Sequence, residues 1–233
     1  MPSNPTSDPA SPRSPVKFRA ILLFGAPGAG KGTQGKILGQ IPNFVHFSCG
    51  EAFRNLRVDS PLGRIFVQYA GQGKLVPDEP TIQLWKNSID GMIATGRFHP
   101  EADTMLLDGI PRNPRQVQIM AELIDVVAIF NLFCPQVDKL VNRLQRRALK
   151  DNRLDDANVE VIRARLETYR RDTRAVLDCY PEKVIHQIDA TQEPLLVLFD
   201  ILKIITRIPK PAISDGDTTF TPPTIVPAPS TPA

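Results

Sequence analysis

The chain has 233 residues, 42% of them hydrophobic, with 23 prolines, three cysteines and a formal charge of +3. That suffices for one large domain with a real core, and no apolar run approaches the ~20 residues needed to cross a bilayer. The charge is too small to argue for nucleic acid. Cys49, Cys134 and Cys179, odd in number and without a CxxC pair, speak against a disulfide framework or a four-cysteine zinc site and fit a reducing cytoplasm.

Residues 1–15 are rich in Pro, Ser and Ala and nearly devoid of large apolar groups, so a disordered tail is expected; it has no apolar h-region and is not a secretory signal. A segment such as Pro12-Arg13-Ser14-Pro15 suits an SH3-like or WW-like partner, with a solvated tail as the simpler reading. Ile21–Phe24 reads as a short strand buried on both faces. Gly25, Gly28, Gly30 and Gly32 follow around Lys31 and close on Thr33. Strand, glycine loop and lysine in that order form a phosphate-binding P-loop, in which backbone N–H groups, an ammonium and a helix N-terminus converge on an anion. Gly32 stands where the general G-x-x-x-x-G-K-[ST] pattern has its hydroxyl residue, and Thr33 comes one later.

The pattern then alternates. Lys36–Gln40 continues a helix, Phe44–Phe47 is a strand, and Glu51–Val58, Pro61–Gly71 and Glu79–Ile93 are three consecutive helices that leave the sheet. Thr104–Leu107 is an apolar strand that ends in Asp108. A carboxylate delivered there, beside a P-loop, suits Mg²⁺, while a turn aspartate before Gly109 is the plainer alternative. Pro114–Ile124 is a helix, Val126–Phe133 a strand, Pro135–Leu149 an arginine-studded helix, and Asn158–Tyr180 a long helix. Val184–Ile188 is the last strand and Pro194–Ile208 the last helix, before a second Pro/Thr-rich tail at 209–233. Short apolar strands alternating with helices predict an α/β fold: a parallel five-stranded sheet flanked by helices. Arg54, Arg112, Arg143, Arg147, Arg153 and Arg165 fall near element ends, where guanidinium forks match phosphate oxygens. Arg146, Arg163, Arg170, Arg171 and Arg174 read as surface charges.

GAPGAGKGTQ (25–34), FSCGEAFR (47–54), GKLVPDE (73–79), LLDGIPRNPRQ (106–116), RLQRR (143–147), RLDD (153–156) and RARLETY (163–169) together resemble the adenylate kinases and related nucleoside monophosphate kinases, in their order and close to their spacing, from Ala20 to about Arg207. The resemblance implies a P-loop kinase domain over 16–208, with an NMP-binding part at 48–76 and a short lid at 147–157. It implies ATP bound by Gly28, Ala29, Gly30, Lys31, Gly32, Thr33, Arg143, Arg147 and Gln192. It implies AMP bound by Cys49, Gly50, Arg54, Lys74, Leu75, Val76, Gly109, Ile110, Pro111, Arg112, Gln116, Arg153 and Arg165. Lys31, Asp108, Arg112, Arg147, Arg153 and Arg165 would act in catalysis, and Gln116 would read the adenine edge. Asp155 and Asp156 match an acidic pair at the lid hinge.

Four departures stand out. Cys49 replaces a threonine and Ile110 a phenylalanine. The arm ALKDN lacks the inserted ribbon and its cysteines, so no structural zinc is expected. The spacing to RARLETY is one residue longer, leaving Arg163 as an alternative to Arg165. The implied reaction is ATP plus AMP to two ADP, with Mg²⁺, in a cytoplasmic monomer without nucleic-acid or membrane partners. A UMP/CMP kinase and a catalytically silent nucleotide-binding scaffold are the alternatives.

Overall fold

The computed structural model describes residues 17–151, 153, 156 and 158–209. Of the tails read at 1–15 and 209–233, all but Pro209 lies outside the described residues, as does Asp155 of the acidic pair. Five strands form one parallel sheet in the order β2-β3-β1-β4-β5. In chain order the elements are β1 (Phe18–Gly25), α1 (Lys31–Leu38), β2 (Phe44–Ser48), α2 (Cys49–Arg54), α3 (Pro61–Ala70) and α4 (Asp78–Ala94). There follow β3 (Thr104–Asp108), α5 (Pro114–Met120), β4 (Ile124–Phe133), α6 (Val137–Asp151), α7 (Val159–Thr168), β5 (Ile185–Asp189) and α8 (Pro194–Ile205).

β1 is the middle strand because its run from Ala20 to Phe24 is buried on both faces. Its side chains alternate between two cores, as a period of two requires. Ala20, Leu22 and Phe24 join Phe47, Trp85, Phe98, Met105 and Leu107 on one face, where α4 packs. Ile21 and Leu23 join Leu106, Phe130, Ile162, Val197 and Ile201 on the other, covered by α7 and α8. The register pairs Leu23 with Asp108 and Ser48 with Asp108, so the carboxyl ends of β1, β2 and β3 are flush. In open parallel sheets, that rim is where ligand sites form.

Side-chain caps fix where several helices begin. Ser48 receives the Glu51 N–H, Ser60 the Gly63 N–H, Asn113 the Gln116 N–H and Asn158 the Glu160 N–H. α1 differs. Gly30, in the left-handed region at φ 104°, precedes it with no side-chain cap, and the first helical bond runs from Gln34 N–H to Gly30 O. The earlier amides of its first turn have no helical carbonyl to meet.

The structure departs from the sequence reading in one long element. The helix read over Asn158–Tyr180 is α-helical only to Thr168, then widens into a π turn (Tyr169–Thr173) and tightens into a 3₁₀ turn (Arg174–Cys179). The change falls where tertiary contacts compete with the helix. The Thr168 hydroxyl donates to Gly73 O at 3.2 Å, and the Tyr169 ring lies 6.0 Å from that of Phe24. The helix read to Ile124 stops at Met120, because Ile124 already opens β4.

Candidate active site

A cleft of about 840 Å³ opens over the carboxyl rim of β1, β2 and β3. The loop after β1 forms its floor. Gly25 and Gly28 have φ of 137° and 84°, and a Cβ on either would come within 3 Å of a backbone oxygen, of Leu132 and Leu140 respectively. No other residue fits that turn. The Lys31 ammonium folds over the loop and donates to Gly25 O at 2.8 Å and Ala26 O at 3.2 Å. Burial pushes its pKa from 10.5 down to about 8; Asp108 opposes this, and Arg112, Arg147 and Arg165 push the same way. Those three guanidiniums therefore share their field with the lysine.

Asp108, 8% exposed, closes β3. A Cβ on Gly32 would meet its Oδ2 at 3.4 Å, so the residue after the lysine and this carboxylate face each other closely. Gly109, Ile110, Pro111 and Arg112 continue from it, with a cis Ile110–Pro111 peptide. The Arg112 Nε donates to Gly109 O at 2.7 Å, and its backbone N–H donates to Gln116 Oε1 at 2.7 Å.

α2 brings Cys49, Gly50 and Arg54 to the wall, and the link between α3 and α4 brings Lys74, Leu75 and Val76. Burial raises the Cys49 thiol to about 11. From the opposite side come Arg143 and Arg147 of α6, Arg153, Arg165 of α7, and Gln192 ahead of α8. Arg143 donates to Ala190 O at 2.9 Å and Gln192 to Asp200 at 2.7 Å. The buried Asp156 carboxylate receives Arg147 on one oxygen and Arg165 on the other.

Every site residue expected from the sequence lines this one cleft, Gly28 to Thr33, Ile110 and Gln116 included. Of the two alternatives in α7, Arg165 lines the cleft and Arg163 is exposed elsewhere. Arg146, read as a surface charge, also stands on the rim.

Sequence reasoning missed the acidic residues that organise these cations. Glu51 lies 2.7 Å from Lys36 and 3.6 Å from Arg153. Burial raises its carboxyl, but the hydrogen bond and charge of Lys36 and the charge of Arg153 outweigh that and hold it below its ordinary value. Asp78 binds the side chains of Asn113 and Gln116. Only its place inside GKLVPDE hinted at a role.

A loop with unsatisfied amides, one ammonium and guanidiniums from several elements can hold a polyphosphate and neutralise charge moving along it. Among the described residues no group of three or more His, Cys, Asp or Glu is placed to hold a metal ion, and no helix is long and apolar enough to cross a membrane.

Comparison with known proteins agrees with this geometry. The family model described as "Adenylate kinase" matches residues 23–185. An adenylate kinase of Cyanothece sp. is 35% identical over 81% of this chain and 95% of its own. A UMP-CMP kinase of Rattus norvegicus is 33% identical over 82% and 99%, and an adenylate kinase of Nocardioides sp. 33% identical over 82% and 98%. With a P-loop, a flush strand rim, the arginine set and these matches along most of its length, the chain belongs to the adenylate kinase family of nucleoside monophosphate kinases.

Proposed function

We propose that the protein catalyses reversible phosphoryl transfer from ATP to AMP, giving two ADP. The observation that supports this reading is that Arg112, Arg147 and Arg165 line one cleft with the P-loop Lys31. Phosphoryl transfer needs little covalent help. It needs in-line alignment and cations around the charge on the moving group. Gly28–Thr33, Arg143 and Gln192 hold ATP, with Lys31 reaching the transferred group. Arg54 and Arg112 grip the acceptor phosphate, Gly50 and Lys74–Val76 line its pocket, and Gln116 reads the base. Arg147, Arg153 and Arg165 bring charge from the other side.

Magnesium carried by the triphosphate adds neutralising charge. The buried Asp108 carboxylate opposite Gly32 fits a role in holding its water shell, with Thr33 alongside. The parts 48–76 and 147–157 act as flaps that exclude water, so phosphate reaches the acceptor rather than solvent. The protein works as a cytoplasmic monomer, without nucleic acid or membrane.

A UMP/CMP kinase is the second reading. Cys49 in place of a hydroxyl, Asn113 after Arg112, and the likeness to the rat UMP-CMP kinase favour it. Gln116 favours adenine, because a paired edge contact discriminates bases better than one hydroxyl. The decisive experiment is coupled ADP release with AMP, GMP, UMP and CMP, for wild type and Lys31→Ala. AMP is expected to be turned over fastest and the variant to be nearly inactive. UMP or CMP outpacing AMP overturns the AMP reading, and ATP binding without turnover of any monophosphate points to a scaffold.

A further inference from the structure

Gln116 is 1% exposed, and each end of its amide already has a partner. Oε1 accepts the Arg112 backbone N–H at 2.7 Å, and Nε2 donates to Asp78 Oδ1 at 2.9 Å. A backbone N–H can only donate and a carboxylate can only accept. Turning the amide over would set NH₂ against N–H and C=O against COO⁻, two repulsive contacts in place of two bonds. Its orientation is therefore fixed by chemistry.

Asp78, in the first turn of α4, is the hub of this arrangement. The same Oδ1 takes the Asn113 Nδ2 at 2.8 Å, while the Asn113 Oδ1 caps the Gln116 N–H at 2.8 Å. Oδ2 faces Arg115 at 3.7 Å. Asp78 lies outside the main cleft, on a groove shared with Asn113 and Arg115, so it acts through Gln116.

Locked this way, Gln116 has one Nε2 hydrogen and one Oε1 lone pair left to offer. That pair suits a base edge presenting an amino donor beside a ring-nitrogen acceptor, as adenine and cytosine do. Guanine and uracil present the reverse, a carbonyl acceptor beside a ring N–H. We propose that Asp78 is a positioning residue whose bond to Gln116 Nε2 locks the amide, so that the acceptor pocket takes monophosphates of amino-bearing bases, AMP and CMP, over those of the keto-bearing bases, UMP and GMP. This rests on the assignment of Gln116 to the acceptor base made above.

The test measures kcat/KM for AMP, CMP, UMP and GMP with the full-length wild type, Asp78→Ala and Asp78→Asn, alongside the denaturation midpoint of each. Wild type is expected to favour the amino-bearing pair by at least about tenfold. Asp78→Ala, which leaves the Arg112 N–H as the one of these two bonds still holding the amide, should loosen it and shrink that ratio at least about fivefold, mainly through a higher KM for AMP. Asp78→Asn keeps an accepting oxygen and should restore most of it. An unchanged ratio in Asp78→Ala, or an equal fall with all four acceptors, overturns the lock and leaves Asp78 a merely structural group. Asp78→Leu carries the same test if the alanine variant does not fold. CMP as the best wild-type substrate would sink the AMP reading while supporting the lock. UMP or GMP as the best substrate would overturn the lock without any variant.

Discussion

The Nζ of Lys31 donates to the carbonyl of Gly25 at 2.8 Å, so the ammonium is tied back to the end of the strand from which its loop springs. A charge held there costs stability as well as serving the site. Its pKa of about 8 against an ordinary 10.5 means that, between those values, the folded protein holds fewer protons than the unfolded chain. The penalty is full below about pH 8 and lifts as pH rises toward 10.5. Lys31→Met should therefore unfold at higher denaturant than wild type at pH 7, by about 1–3 kcal/mol, with a smaller gap at pH 10. The same variant should lose about 10²–10³-fold in kcat. Urea titrations at the two pH values check the first claim, and a variant no more stable than wild type at pH 7 contradicts it.

Asp156 is fully buried between Arg147 and Arg165. Removing the carboxylate leaves two guanidiniums facing each other without their shared anion. Asp156→Ala should cost about 3 kcal/mol of stability, as loss of one member of a buried ionic group does. Asp156→Asn, which keeps hydrogen-bond acceptance on one oxygen, should cost less. Denaturant midpoints of the two variants test this, and a loss below 1 kcal/mol for the alanine variant rules it out.

Gly35, inside α1, lies under His46 of β2. A Cβ there would sit 2.3 Å from His46 Nε2 and 2.9 Å from Leu23 Cδ1. Glycine to alanine in a helix ordinarily gains about 1 kcal/mol. Here overpacking should win, and Gly35→Ala should destabilise by about 1–3 kcal/mol. Adding His46→Ala should recover most of the loss. Thermal melts of the two single variants and the double variant complete the cycle, and additive losses would show that the two side chains do not compete for space.

The three thiols should differ sharply in reactivity. Cys179 is exposed, Cys134 is buried, and Cys49 is buried with its thiol pushed up to about 11. The attacking species is the thiolate, so Cys49 should stay inert at neutral pH. A thiol reagent at pH 7.5 should label Cys179 alone in the native protein and all three after denaturation. Mass mapping of the adduct decides, and native labelling of Cys49 would show that the α2 wall opens readily.

The sheet was legible because its strands are short apolar-rich runs, unbroken at the centre of β1 and β3 and interrupted by His46, Asn131 or His186-Gln187 in the others. The floor of the cleft was legible because loop, lysine and Asp108 follow directly on the unbroken ones. Helix ends were read less well. Cys49 begins α2 directly after β2, and Tyr169 leaves the helical path for a ring contact with Phe24, neither of which periodicity records. The acidic organisers were illegible for a different reason. Gln116 meets Asp78 across 38 residues, and the Thr168–Gly73 bond spans 95, so their meaning exists only once the chain has folded. Asp156 was noticed as half of a hinge pair, yet nothing in RLDD says that it would bind two arginines from different helices.

Glu51, between Lys36 and Arg153, gives the site an anion of its own. A nucleotide that recruits Arg153 must first draw it from this carboxylate, so the measured affinity reports an exchange of counter-ions, a difference between two attractions. Added salt then acts on each side of that exchange. Nucleotide binding should consequently weaken less steeply with ionic strength than a tally of the arginines around the cleft would suggest.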